Sequence, residues 1–419
     1  MDVTNNSYNL MKTFANFNCI DHITQTNISK NIFSGLFKHM NDFDKELTNI
    51  KSTISNKHFY NRRHKKIITK SDIASIPIPK TFSVMNFPEE LPLSKITSKM
   101  SNVITYSINL FNRHIDIIFT TEKHNVILKT YDSYVDNILI WLYIVNKYAD
   151  QKCVNNLTLY FYKTNHIKQF PTSNIEIIDQ IHANTAFTRT CQINGEIVIF
   201  RNEEWFKVFL HETIHTFGLD FSGVNNEYCT KNILSLFNIK SDVNLFEAYT
   251  EFWARIINVL FCSYNKFKQE NIKQNKISVP INYNKLNDQA SIFINIEIKY
   301  SFFQMVKILN FMDLKYDDIH NNDNKIQIKY KENTNVFAYY IITTILITNY
   351  NKFLSWCQKH NTSILQFDKD ISGQVEFCKF IYNNYKNRQL LEAIKCTEQI
   401  LNKDNNINNS LRMTVCEME

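Results

Sequence analysis

The chain has 419 residues, 44% of them hydrophobic and 14% aromatic, and a formal charge of +7. That length supports two or three domains with a sizeable core, and no apolar run reaches the roughly 20 residues that a membrane helix needs. The N-terminus lacks the basic-then-apolar layout of a signal peptide, so a cytoplasmic location is expected.

Nine cysteines, widely scattered and without a CxxC pair, predict a reducing compartment in which they act mainly as small core residues. In chain order, residues 1–92 read as a polar N-terminal segment ending in a connector that carries Pro77, Pro79, Pro88 and Pro92. Within it, Lys57, Arg62, Arg63, Lys65 and Lys66 form the chain's basic cluster. A solvated face is the expectation there, and nucleic acid is not the expected partner. Residues 93–265 read as strand (115–120), helix (131–149), strand (157–162), edge hairpin (186–200) and two polar-striped helices. Residues 266–276 read as a polar linker, and 281–400 as a mainly helical lobe closing a cleft, with 336–348 a buried core helix. Residues 401–419, rich in asparagine at their start, are expected to be a flexible tail. The fold class is α+β.

The segment His211-Glu212-Thr213-Ile214-His215 is an HExxH motif. With 3.6 residues per turn both imidazoles share one helix face and can hold one zinc ion, with Glu212 beside it. The surroundings are helical: Asn202 as a cap, Glu203 and Glu204 in the first turn, apolar residues from Trp205 to Phe217, and Gly218 as a stop. A His-Glu-His cluster on so apolar a helix needs partners for its polar groups, and zinc supplies one. The competing reading has two core histidines bonded to carbonyls.

A catalytic zinc takes three protein ligands and leaves one position for water. In the pattern HExxHxxGxxH, Gly218 fits, but the ligand position falls on Phe221 and Asp220 is one residue out of register. In a second pattern the ligand is a glutamate on a later helix, followed four residues on by another carboxylate. Glu247 and Glu251 have that spacing, on a helix that Asp242 is placed to cap. Glu247 is therefore assigned as third ligand beside His211 and His215, and Glu251 as the acceptor of a histidine N–H. The reverse assignment stays open, as does a solvated face on which Glu251 pairs with Arg255.

These motifs resemble those of the gluzincin, or thermolysin-like, zinc metallopeptidases over residues 184–262. The resemblance implies a zincin-like half, with a mixed sheet whose edge strand precedes the HExxH helix and the glutamate-bearing helix, followed by the helical lobe. It also implies that Ala186 and Phe187 lie on the edge strand that holds substrate. Thr185 is inserted between Asn184 and Ala186, Phe246 stands where an asparagine is usual, and Glu251 replaces an aspartate. The segments Glu-Glu-Trp-Phe-Lys-Val and Glu-Ala-Tyr-Thr-Glu-Phe-Trp-Ala also look like those of metallopeptidase-like proteins of large DNA viruses, which implies host cytoplasm or virion as location.

The expected activity is zinc-dependent hydrolysis of a protein or peptide substrate, with Glu212 as general base. Tyr249, Arg255, Tyr339, Tyr340 and His360 are candidates for steadying the oxyanion, with Tyr339 or Tyr340 preferred. The alternative is a non-catalytic, zinc-stabilised structural or interaction protein.

Overall fold

The computed structural model describes residues 1–274, 280–321, 324–401 and 409–419. Among the described residues the longer helices are α1 (Asn5–Ala15), α2 (Asn27–Thr53), α3 (Leu128–Tyr148), α4 (Trp205–Thr216), α5 (Glu227–Leu236), α6 (Leu245–Lys273), α7 (Tyr283–Phe311), α8 (Tyr350–His360), α9 (Ile371–Asn384) and α10 (Arg388–Leu401). Strands β1 (Arg63–Lys66), β2 (Asn102–Leu110), β3 (Arg113–Thr121), β4 (Asn156–Lys163), β5 (Ala186–Thr188) and β6 (Asn194–Ile199) form one sheet in the order β1-β2-β3-β4-β6-β5. The sheet is mixed, and the fold is α+β. None of the described helices is long and apolar enough to cross a membrane.

The local sequence explains this topology. Phe111 and Asn112, both at φ 57°, make the two-residue turn between β2 and β3, a left-handed geometry that matches the twist of a hairpin. Strands β3, β4 and β6 are parallel, so each connection must cross over, and α3 makes the first crossing. Along β4 alternate residues serve two cores: Leu159 and Phe161 face the main one, while Tyr160 and Tyr162 face a smaller one built with Ile76, Phe87, Leu91 and Ile96. Strand β5 pairs antiparallel with β6 and ends the sheet, leaving its other edge free beside α4.

The N-terminal region, expected to be polar, contributes to both cores. On α2 the residues Phe33, Leu36, Phe37, Met40, Phe43 and Leu47 recur at helical spacing and are buried in the main core, and the proline-bearing stretch covers the second face of the sheet. Two cations of the basic cluster are paired, Arg62 with Asp132 and Lys65 with Asp72 at 2.8 Å, while His64 meets Asn102 at 2.8 Å. The linker expected at 266–276 is helical as far as Lys273, and its last two residues lie outside the described ones.

The tail expectation is corrected as well. Residues 402–408 lie outside the described residues, but Leu411, Met413, Val415, Cys416 and Met418 are buried. Their backbone is held by two buried carboxylates: Glu204 accepts from the Met413 and Thr414 N–H groups at 2.8 and 2.6 Å, and Glu297 from those of Val415 and Cys416 at 2.9 and 3.0 Å. Four cysteines depart from the expected role, since Cys19–Cys396 and Cys153–Cys191 are disulfides, while Cys229, Cys262, Cys357, Cys378 and Cys416 are buried thiols. Separations of 377 and 38 residues leave no local spacing signal for such pairs.

Candidate metal centre

Helix α4 is buried along its whole length and begins differently from expectation. Its cap residue is Glu204, at φ 57° and without a side-chain capping bond, because the Glu204 carboxylate is committed to Lys168 and to the tail backbone. Asn202 does not cap it. The helix ends where Gly218, at φ 62°, turns the chain: the Gly218 and Leu219 N–H groups donate to the His215 and Ile214 carbonyls, both at 2.9 Å. This closed end needs a left-handed residue, which glycine provides without steric cost. Helix α6, whose N-cap position falls on Asn244 rather than Asp242 and carries no side-chain capping bond, lies alongside.

The two helices bring three ligand atoms together. His211 Nε2 lies 3.0 Å from Glu247 Oε2 and 3.1 Å from His215 Nε2, and His215 Nε2 lies 3.3 Å from the same carboxylate oxygen. Metal–ligand bonds of 2.0–2.1 Å in a tetrahedron set neighbouring ligand atoms about 3.3 Å apart, so this triad has the spacing of three ligands to one divalent ion. The other ring nitrogens point away and are fixed from behind. His211 Nδ1 meets Glu251 at 3.1 Å, and His215 Nδ1 meets Asp220 at 2.5 Å. Such partners set each tautomer and ring plane. Asp220 thus stands behind His215, not among the converging atoms, and Phe221 packs on Phe367 with ring centroids 4.3 Å apart.

A buried cation anchors Glu251. Lys207, one turn before His211, places Nζ 2.9 Å from both Glu251 oxygens, and neither side chain is exposed beyond 2%. Arg255 is not its partner; it pairs with Glu297 at 2.8 Å. Burial opposes charge on both histidines, yet Glu247 and Glu251 lift His211 above its ordinary value, and Asp220 and Glu247 lift His215 well above it. Burial likewise pushes Glu247 up, but His215 and His211 hold it well below the carboxylate range. The pocket is built to hold positive charge, either as protons on the rings or as a metal that displaces them.

Glu212 lines the cleft beside these atoms, and burial raises its carboxyl above the ordinary range against the pull of His211 and His215. Tyr339 donates to Glu247 Oε2 at 3.1 Å, and Asn335 to Oε1 at 3.3 Å. Tyr339 lies in a π-helical turn, Phe337–Ile342, that opens the core helix expected at 336–348; such widened turns recur at functional sites. The other oxyanion candidates lie elsewhere. Tyr340 donates to the Leu411 carbonyl, Tyr249 to that of Leu365, and His360 stacks on Trp356. The cleft, about 230 Å³, is walled by Ala186, Phe187 and Thr188 of β5 on one side and by Phe246, Asn335 and Tyr339 on the other. The Phe187 ring turns from it to pack on Phe82 and Phe87 at 4.8 and 5.0 Å, so Phe187 offers its backbone.

Lys207 and Asn335 are the contributors that sequence reasoning missed. Lys207 carried a signal, standing four residues before His211 on a helix otherwise too apolar for it; Asn335 carried none. No known family profile, curated protein or solved structure matches this chain.

Proposed function

We propose that the protein is a zinc-dependent peptidase. The reading rests on one observation: the converging His211, His215 and Glu247 atoms, each imidazole backed by a carboxylate, beside the otherwise uncommitted Glu212 at an open cleft. Zinc bound by those three atoms would supply Lewis acidity and bring the pKa of a bound water towards neutrality. Glu212 takes the proton of the attacking water, the resulting hydroxide adds to the peptide carbonyl carbon, and the C–N bond breaks as Glu212 delivers the proton to the leaving amine. The Tyr339 hydroxyl, which donates to Glu247 Oε2 at 3.1 Å, would turn its proton to the carbonyl oxygen as charge develops on it. The free edge of β5 takes an extended peptide as an added strand, through the backbone at Ala186 and Phe187.

A purely structural zinc is the weaker reading, because structural sites are closed by four protein ligands, whereas the described residues offer three and border a cleft. Elemental analysis and peptide cleavage by wild type, Glu212→Gln and His215→Ala test the choice. The expected result is one zinc per chain in wild type and in Glu212→Gln, cleavage by wild type alone, and loss of both in His215→Ala. A zinc-loaded wild type that cleaves no peptide would favour the structural role, and a wild type that binds no zinc would sink both.

A further inference from the structure

The groove along β5 is wide at one end and narrow at the other. Towards the C-terminal end of α4 it is the cleft already described, with Thr188, Thr190 and His215. Past Glu212 and His211, towards the N-terminal half of α4, it continues into a recess of about 30 Å³ lined by Asn184, Thr185, Val208, Lys168, Lys207 and Met413. That is space for roughly one or two water molecules. Both compartments share Asn184, Ala186, His211, Glu212 and Tyr339, so the recess opens on the reacting centre.

The recess walls cannot easily retreat. Lys207 is held by Glu251, Lys168 Nζ is 2.7 Å from Glu204, and Asn184 accepts from Thr334 at 2.8 Å. Met413 is fixed by its backbone bond to Glu204 and by its sulfur, 3.6 Å from Lys207 Nζ. Besides Glu212, the lining carries a second uncommitted polar group: the Thr185 hydroxyl is buried, at 3% residue exposure, without a protein partner. Thr185 is the residue inserted between Asn184 and Ala186.

We propose that this recess receives the side chain of the residue that follows the scissile bond and restricts it to a methyl or hydroxymethyl group, with Thr185 Oγ1 hydrogen-bonding the hydroxyl of a serine. The inference rests on the peptidase reading. β5 runs from the recess towards the open cleft, so a peptide added antiparallel to it enters through the cleft and places its leaving-amine side in the recess. Larger side chains are refused because each added methylene must displace groups fixed by buried ion pairs; a misfit of one methylene shifts specificity by about 10-fold to 200-fold. Hydroxyl recognition follows from leaving a buried Thr185 oxygen unpaired when alanine is bound.

The test uses zinc-loaded full-length protein and quenched peptides that differ only in the residue after the scissile bond: Gly, Ala, Ser, Leu or Phe. Calorimetry with peptide hydroxamates bearing a methyl or an isobutyl side chain at the same position gives a readout independent of turnover. Ala and Ser peptides should exceed Leu and Phe in kcat/KM by at least about 10-fold, and the methyl hydroxamate should bind correspondingly tighter. Met413→Ala, or Val208→Ala should the first variant not fold, should raise the Leu-to-Ala ratio, and Thr185→Val should lower the Ser-to-Ala ratio. Equal use of Leu and Ala, or size selection at the residue before the bond, overturns the inference and leaves the peptidase reading standing. A zinc-loaded protein that cleaves no peptide and binds neither hydroxamate overturns both.

Discussion

The two flanks of α4 bury lysines under opposite conditions. Facing α6, Lys207 is matched by both oxygens of Glu251, which in turn holds His211. Facing the sheet, Lys163 at the end of β4 has no hydrogen-bond partner; its ammonium lies 4.3 Å from the Tyr134 ring and 4.6 Å from that of Trp205. Burial draws Lys163 down to about 7, and cation–π contact offsets only part of the loss of water. The paired lysine is coupled to the converging ligand atoms through one carboxylate, whereas the unpaired one meets aromatic rings and feels Glu419 and Glu417 only at a distance. Charge at the candidate site is therefore matched by opposite charge, and charge on the sheet side is a cost to stability.

The strongest way to break this contrast is to remove carboxylates from the α6 side. Glu247→Ala should lower zinc affinity by more than about 1,000-fold, and Glu251→Ala by about 10-fold to 100-fold, read by competition with a chelating dye. Equal affinities in the two variants would end the distinction between the converging carboxylate and the one behind the ring. Lys207→Met leaves Glu251 buried without its cation and should cost about 3 kcal/mol in chemical denaturation of the metal-free protein, with Lys207→Arg recovering part of it. Were Lys207→Met as stable as wild type, Glu251 would be protonated in the native state, and its hold on His211 would need another explanation.

The same substitution on the other flank should act in the opposite direction. Lys163 has an unfolded value of 10.5 and a folded value of about 7, so between those pH values the unfolded chain binds more protons. Wild-type stability should thus rise as pH increases through that window. Lys163→Met should stabilise the protein at pH 7 by about 2 to 4 kcal/mol and flatten the alkaline slope, because no proton is then shed on folding. Denaturant midpoints at pH 7 and pH 9.5 check both parts. A Lys163→Met protein that is less stable at pH 7 would show that the aromatic contacts outweigh desolvation.

These contrasts also separate what the sequence shows from what it hides. His211, Glu212 and His215 stand out because helical spacing is a local property, and Glu247 and Glu251 repeat it on a second helix. The strands at 115–120 and 157–162 stand out because burial on both faces makes them largely apolar, without a break over 117–119 and 159–162. Strand β2 escaped notice although Val103, Ile104, Tyr106 and Ile108 are buried, since polar residues interrupt its run. Helix α2 carries an apolar stripe diluted by asparagines and lysines, and reads as polar unless its period is followed. Residues 409–419 read as part of a flexible tail, yet five of them are buried apolar residues. Their burial depends on Glu204 and Glu297, more than a hundred residues away, accepting their backbone N–H groups. Which tyrosine faces the converging His211, His215 and Glu247 atoms depends on a π-helical turn with no composition signal.

The smallest expected effect lies at the end of α4, where the two flanks meet. Gly218→Ala keeps the turn only by placing a Cβ at φ 62°, 3.3 Å from Lys369 Nζ and 3.5 Å from Cys191 Cβ. The first contact is with the mobile end of a side chain and yields easily, so the backbone conformation dominates and should cost about 1 kcal/mol. Asp220 follows two residues later and reaches His215 Nδ1 only because this turn folds back. If the turn survives, zinc affinity should change by less than about threefold while thermal stability falls slightly. A loss of zinc on the scale of Glu251→Ala would instead mean that the turn had opened and released Asp220. The tautomer of His215 would then depend on a single glycine as much as that of His211 depends on the Glu251–Lys207 pair.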